Sequence, residues 1–95
     1  MLVMNPKTVF ALNDQVVLQC IPELDHYYAF DIQNGDQFQL NHTAHWVLQT
    51  IGTGIEWREL CEKFADRYGL PTVSIDQELL PVIQSALQSN MLKEV

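Results

Sequence analysis

The hydrophobic period of this 95-residue chain changes once, at Leu40-Asn41, and that change limits what it can fold into. Before it, apolar side chains recur at the two-residue spacing of strands; after it they recur at the 3.6-residue spacing of helices. Val16–Ile21 is β-branched and apolar over strand length, and Pro22-Glu23-Leu24-Asp25 follows as a turn signal. From Tyr27 to Ile32 the bulkier side chains Tyr28, Phe30 and Ile32 share one face, while Tyr27, Ala29 and Asp31 share the other. Asn34-Gly35 marks a hairpin because both residues tolerate positive φ, and Gln37–Leu40 is then the third strand. A two-residue loop would put Phe38 opposite Asp31. A three-residue loop, Asn34-Gly35-Asp36, sets Phe38 across from Ile32 and Leu40 across from Phe30, so the bulky face is expected to form the core. Residues 1–15 are expected as an N-terminal arm with a short strand at Val9–Leu12, and residues 16–95 as one domain.

Three helices follow. Asn41 is a suitable N-cap for a helix with Ala44, Val47, Leu48 and Ile51 on one face, and Gly52 stops it. Trp57, Leu60, Cys61, Phe64 and Tyr68 repeat the spacing, with Gly69 and Pro71 beyond. A capping box at Ser74-Ile75-Asp76-Gln77 opens a third apolar face of Ile75, Leu79, Val82, Ile83 and Ala86. Pro81 predicts a kink near Gln77–Pro81 or a later start, Asn90 a left-handed end, and Met91-Leu92 a returning apolar clip. The fold class is therefore α+β and winged-helix-like: a three-stranded antiparallel meander, then three α-helices. Its core is expected to hold Phe30, Ala44, Val47, Leu48, Ile51, Leu60, Phe64 and Leu79.

Five Lys and Arg against twelve Asp and Glu give a net charge of −7, which repels phosphate backbones and predicts no nucleic-acid partner. A winged-helix transcriptional regulator is the alternative for this element order, but its recognition helix needs exposed basic residues, and the third helix has none before Lys93. No stretch approaches the roughly 20 apolar residues of a membrane span, and Met1-Leu2-Val3-Met4 is too short for a signal core, so a cytoplasmic location is expected. Cys20 and Cys61 lack Cys-x-x-Cys spacing. His42 and His45 share a helix face without a third ligand at metal spacing, so no metal is expected. No nucleophile elbow and no phosphate-cradling glycine loop is present, so neither catalysis nor a cofactor is expected. Trp46, beside the apolar face of the first helix, is a candidate exposed aromatic.

The stretch Leu40-Asn41-His42-Thr43-Ala44 has the form Leu-Asn-x-Thr-Ala. Around it stand Phe30-Asp31-Ile32-Gln33-Asn34-Gly35 before, Ile51-Gly52 after, Glu59-Leu60 and Phe64 in the second helix, and Asn90-Met91-Leu92 near the end. In order and spacing, from about Val16 to Leu92, the chain resembles the PqqD-like peptide-binding domains, or RiPP recognition elements. Two departures are the longer path from Pro22-Glu23 to Leu40-Asn41 than in coenzyme-PQQ synthesis proteins, and Asn90 where Gly is usual. The resemblance implies a non-catalytic peptide chaperone of natural-product biosynthesis. Such a module captures the leader of a ribosomally made precursor peptide by β-strand addition and presents it to a maturation enzyme such as a radical SAM enzyme, a cyclase or a leader peptidase. The groove it implies lies between the third strand and the third helix, with Gln37, Phe38, Gln39 and Leu40 as the backbone rail. Leu80, Ile83, Gln84 and Leu87 are the candidate wall, Leu80 and Leu87 being equally suited to completing the core. In a meander the third strand is an edge, which a peptide strand or a second copy of the chain can satisfy, so a homodimeric scaffold is a further alternative.

Overall fold

The computed structural model describes residues 5–69 and 71–95, apart from the side chains at 72–74 and 76. Strands β2 (Val16–Ile21), β3 (His26–Asp31) and β4 (Gln37–Leu40) form an antiparallel meander in chain order, with a single 3-10 turn at Pro22–Leu24. Helices α1 (His42–Ile51), α2 (Trp57–Tyr68) and α3 (Thr72–Gln88) follow, so the fold is α+β as expected.

A second antiparallel sheet is built around the N-terminal segment. Strand β1 (Val9–Leu12) is its centre, paired on one side with β5 (Ile55–Glu56) and on the other with β6 (Leu92–Glu94). Phe10 is only 1% exposed and meets Trp57 edge-on, with ring centroids 6.3 Å apart. Leu12 N donates to Gly52 O at 2.9 Å, Trp57 N to Thr8 O at 2.7 Å, and Asn13 Nδ2 to Asn90 O at 2.6 Å. The described part of the expected arm is thus packed into the core, and the Met91-Leu92 clip is the entry to its third strand.

The helices end where local chemistry says they should. Asn41 Oδ1 accepts from Ala44 N at 2.7 Å, satisfying one of the orphan donors at the start of α1. At the end of α3, Asn90 takes φ +59°, its N–H donates to Leu87 O at 3.2 Å, and Met91 N donates to Ala86 O at 2.9 Å. These two bonds form a Schellman motif, with Asn supplying the left-handed residue. Of the two outcomes expected at Pro81, the later start does not occur: α3 starts at Thr72 and runs through the proline. Pro81 and Gln77 are both exposed, so the carbonyl that loses its helical partner lies where water can reach it. The capping box at Ser74-Ile75-Asp76-Gln77 lies outside the described side chains.

The larger correction is the register of β3 with β4. Phe38 lies across from Ala29 and Leu40 from Tyr27, not from Ile32 and Phe30. The loop is four residues, Ile32–Gly35, because Asp31 holds it closed. Asp31 N donates to Asp36 O and Gly35 N to Asp31 O, both at 2.8 Å, and Asp31 Oδ1 accepts from Gln33 N at 3.0 Å and Asn34 N at 3.2 Å. With Asp31 turned inward at 5% exposure, the core face of β3 is Tyr27, Ala29 and Asp31. Ala29 is fully buried where α1 crosses β3; its small side chain allows that approach. Phe30, expected in the core, is half-buried on the other face, and Ile32 is 69% exposed. Ala44 is also only half-buried, while Val47, Leu48, Ile51, Leu60, Phe64 and Leu79 form the core as expected.

Because Phe10 sits inside this core, Phe10→Ala should lower stability by about 3–5 kcal/mol through lost burial and a residual cavity. Urea unfolding checks this. A loss under about 1 kcal/mol would mean that β1 is dispensable to the core.

Candidate functional site

Among the described residues, strand β4 has a neighbour on one side only. In an antiparallel ladder bonded and non-bonded pairs alternate. The bond from Asp31 N to Asp36 O starts that alternation, so Phe38 and Leu40 face β3 with their backbone groups. Gln37 and Gln39 therefore present their N–H and C=O groups to the free side. Their side chains are exposed, whereas Phe38 and Leu40 are half-buried against the core. The rail read from the sequence is thus an open edge with alternating polar and apolar side chains.

Beside the end of that edge lies a cleft of about 260 Å³ between α1 and α3. Leu40 and Asn41 form its mouth, Ala44 and Leu48 its α1 wall, and Pro81, Val82, Ser85 and Ala86 its α3 wall, with Met91 also lining it. The lining carries no charge. The cleft exists because Ala44, Ser85 and Ala86 are too small to fill the space between the helices.

Of the eight candidate residues, the structure gathers Gln37, Phe38, Gln39 and Leu40 on the edge, and Leu40 reaches the cleft. Leu80, Ile83, Gln84 and Leu87 do not line it. Ile83 is fully buried, Leu80 and Leu87 are half-buried against the core, and Gln84 is exposed. At about 100° per residue, Val82 and Ser85 fall on one side of the Leu79–Ile83–Ala86 stripe, and Leu80, Gln84 and Leu87 on the other. Periodicity treats the two flanks alike, so the sequence held no signal for the lined side.

At this same end of the edge, Tyr27 sits across from Leu40 and packs on His45, with centroids 4.8 Å apart, and on His42 at 5.5 Å. Its hydroxyl donates to Asp25 Oδ1 at 2.9 Å, a bond that raises the phenol above its ordinary value. Burial, followed by the neighbouring His42, holds His45 below its usual range. Among the described residues no cluster of His, Cys, Asp or Glu is placed to hold a metal, and no helix is long and apolar enough to cross a membrane. Trp46 is not a free platform: the Arg67 guanidinium lies 5.3 Å from its ring centroid, and Phe64 and Tyr68 pack on it at 6.0 and 5.9 Å.

No protein-family model and no curated protein matches the sequence. Among solved structures, TbiB1 in complex with the TbiA(beta) leader peptide has the same fold. It superposes with a TM-score of 0.70 at 16% identity, covering 87% of this chain and 94% of that one.

The His45 site predicts a pH dependence of known sign. Its folded value lies below the ordinary 6.5, so the unfolded chain takes the proton first as pH falls. The contribution of neutral His45 is complete above about pH 6.5 and declines below it, down to the folded value. The difference in urea midpoint between wild type and His45→Gln should narrow as pH drops from about 7.5 to about 5.5. A difference constant with pH would contradict it.

Proposed function

We propose that this chain is a non-catalytic peptide-binding module. It receives an extended segment of a precursor peptide's leader as a further strand on β4 and passes the peptide to a maturation enzyme. The observation that carries this reading is the open backbone edge at Gln37 and Gln39 ending beside an uncharged apolar cleft. Main-chain bonds to the edge supply affinity with little demand on sequence, and one apolar side chain entering the cleft fixes the position along it. The fold shared with TbiB1, whose structure holds a leader peptide, supports the same reading.

The Leu40–Ala44 motif acquires a physical role in this arrangement. Leu40 ends the rail and opens the cleft, Asn41 caps α1, and Ala44 leaves the space that the cleft occupies. The candidate site therefore keeps Gln37, Phe38, Gln39 and Leu40, and takes Pro81, Val82 and Ser85 as its α3 wall in place of Leu80, Ile83, Gln84 and Leu87. Ser85 is the hydroxyl in the cleft lining, and no acid or base lines the cleft beside it to activate it, which suits a site that holds a peptide rather than converts it. The enzyme it serves is of the maturation class, such as a radical SAM enzyme, a cyclase or a leader peptidase, acting in natural-product biosynthesis.

Titration calorimetry with the leader segments of candidate precursor peptides tests the reading. Gln39→Ala should bind like wild type, since the backbone does the pairing. Gln39→Pro removes an outward donor and should weaken binding on the order of tenfold or more. Ser85→Asp puts an unpaired charge at the cleft and should cost about 2 kcal/mol. If Gln39→Pro and Ser85→Asp, both folded by circular dichroism, bind like wild type, the peptide site is elsewhere.

A further inference from the structure

The outer face of the β2–β3–β4 sheet carries Val17, Tyr28, Phe30 and Ile32. Val17 lies directly across from Phe30 and is 47% exposed; Ile32, at the start of the turn, is 69% exposed. Together with Gln19, Gly35 and Asp36 they line a shallow, mainly apolar depression of about 350 Å³. Tyr28 continues the row, its ring 6.1 Å from Phe30, and its hydroxyl is bonded to His26 Nδ1 at 2.9 Å. A contiguous apolar patch on a domain surface marks a candidate interaction site.

The patch is also held rigid. Ile32 N donates to Gln15 O at 2.9 Å, and the turn behind it is closed by the bonds to Asp31. A partner meeting Ile32 would thus spend little ordering entropy on it.

Charge indicates what the partner looks like. Between Lys7 and Arg58 there is no Lys or Arg, while the exposed Asp36 lines the depression and Glu23 and Asp25 lie exposed in the β2–β3 turn of the same sheet. Asp14, near the start of β2, is matched by Lys93 at 3.6 Å, whereas no ion pair neutralises Asp36 among the described residues. A second copy would bring the same acidic rim against itself, which like-charge repulsion opposes. We propose that this face docks a protein partner whose contact patch is apolar at its centre and carries Lys or Arg around it. The surface is distinct from the β4 edge, and the inference does not depend on the peptide reading.

Two short synthetic helical peptides with the same Leu face, one bearing Lys and the other Glu on the polar face, serve as probes of that chemistry. In amide NMR spectra of the whole chain, the Lys peptide should move Val17, Phe30, Ile32 and Asp36, and the Glu peptide should not. Raising salt from about 0.05 M to about 0.5 M should weaken the interaction on the order of tenfold, as should combining Val17→Thr with Ile32→Thr, which keeps β-branched side chains on the strand. The proposal is overturned if neither peptide binds, if both bind equally, or if the shifts lie at Gln37–Leu40 and Ser85 instead. It is equally overturned if sedimentation shows a dimer that the Thr substitutions dissolve, since the cover would then be a second copy.

Discussion

The bonds that Asp31 makes in the β3–β4 turn set the parity of the whole sheet. Its backbone and one carboxylate oxygen hold a four-residue loop, and its side chain turns inward to do so. Every second residue of β3 follows it. Ala29 lies under α1, and Tyr27 reaches His42 and His45. Phe38 and Leu40 come inward on β4, leaving the backbone groups of Gln37 and Gln39 on the open side. The remaining residues, Tyr28, Phe30 and Ile32, are forced outward. A one-residue slip would exchange the two faces, and with them the cleft mouth and the outer patch. Both candidate surfaces therefore rest on one buried carboxylate.

Local chemistry was legible in the sequence where the cause is local. Asn41, Gly69 and Asn90 do what a cap or a helix end requires, and the 3.6-residue spacing places Leu60, Phe64 and Leu79 in the core. The face of β3 was not legible, because bulk favours Tyr28, Phe30 and Ile32 as core. What decides otherwise is the space α1 leaves beside Ala29 and the turn bonds of Asp31, both of which need the fold to be seen. The site divides in the same way. The edge at Gln37–Leu40 follows from strand order, but the two flanks of the α3 stripe are equivalent in periodicity. Only the position of β4 distinguishes Val82 and Ser85 from Leu80 and Leu87.

Affinity and selectivity fall to different parts of the proposed site. An added strand gains main-chain bonds along Gln37–Leu40 whatever its side chains, so the edge alone would be indiscriminate. The cleft adds a requirement for one apolar side chain at one place, since its lining offers no charge. Placing the rail and the cleft on α1, α3 and a three-stranded sheet fixes their spacing before the peptide arrives, which lowers the ordering cost of binding.

The central claim is that β4 is completed by a peptide strand, and amide hydrogen exchange at its four residues reports on that directly. Phe38 and Leu40 already bond to β3, so their exchange should change little when the leader peptide is added. Gln37 and Gln39 should exchange freely in the isolated chain and become protected at saturating peptide. Bound peptide with Gln37 and Gln39 still unprotected would contradict the account.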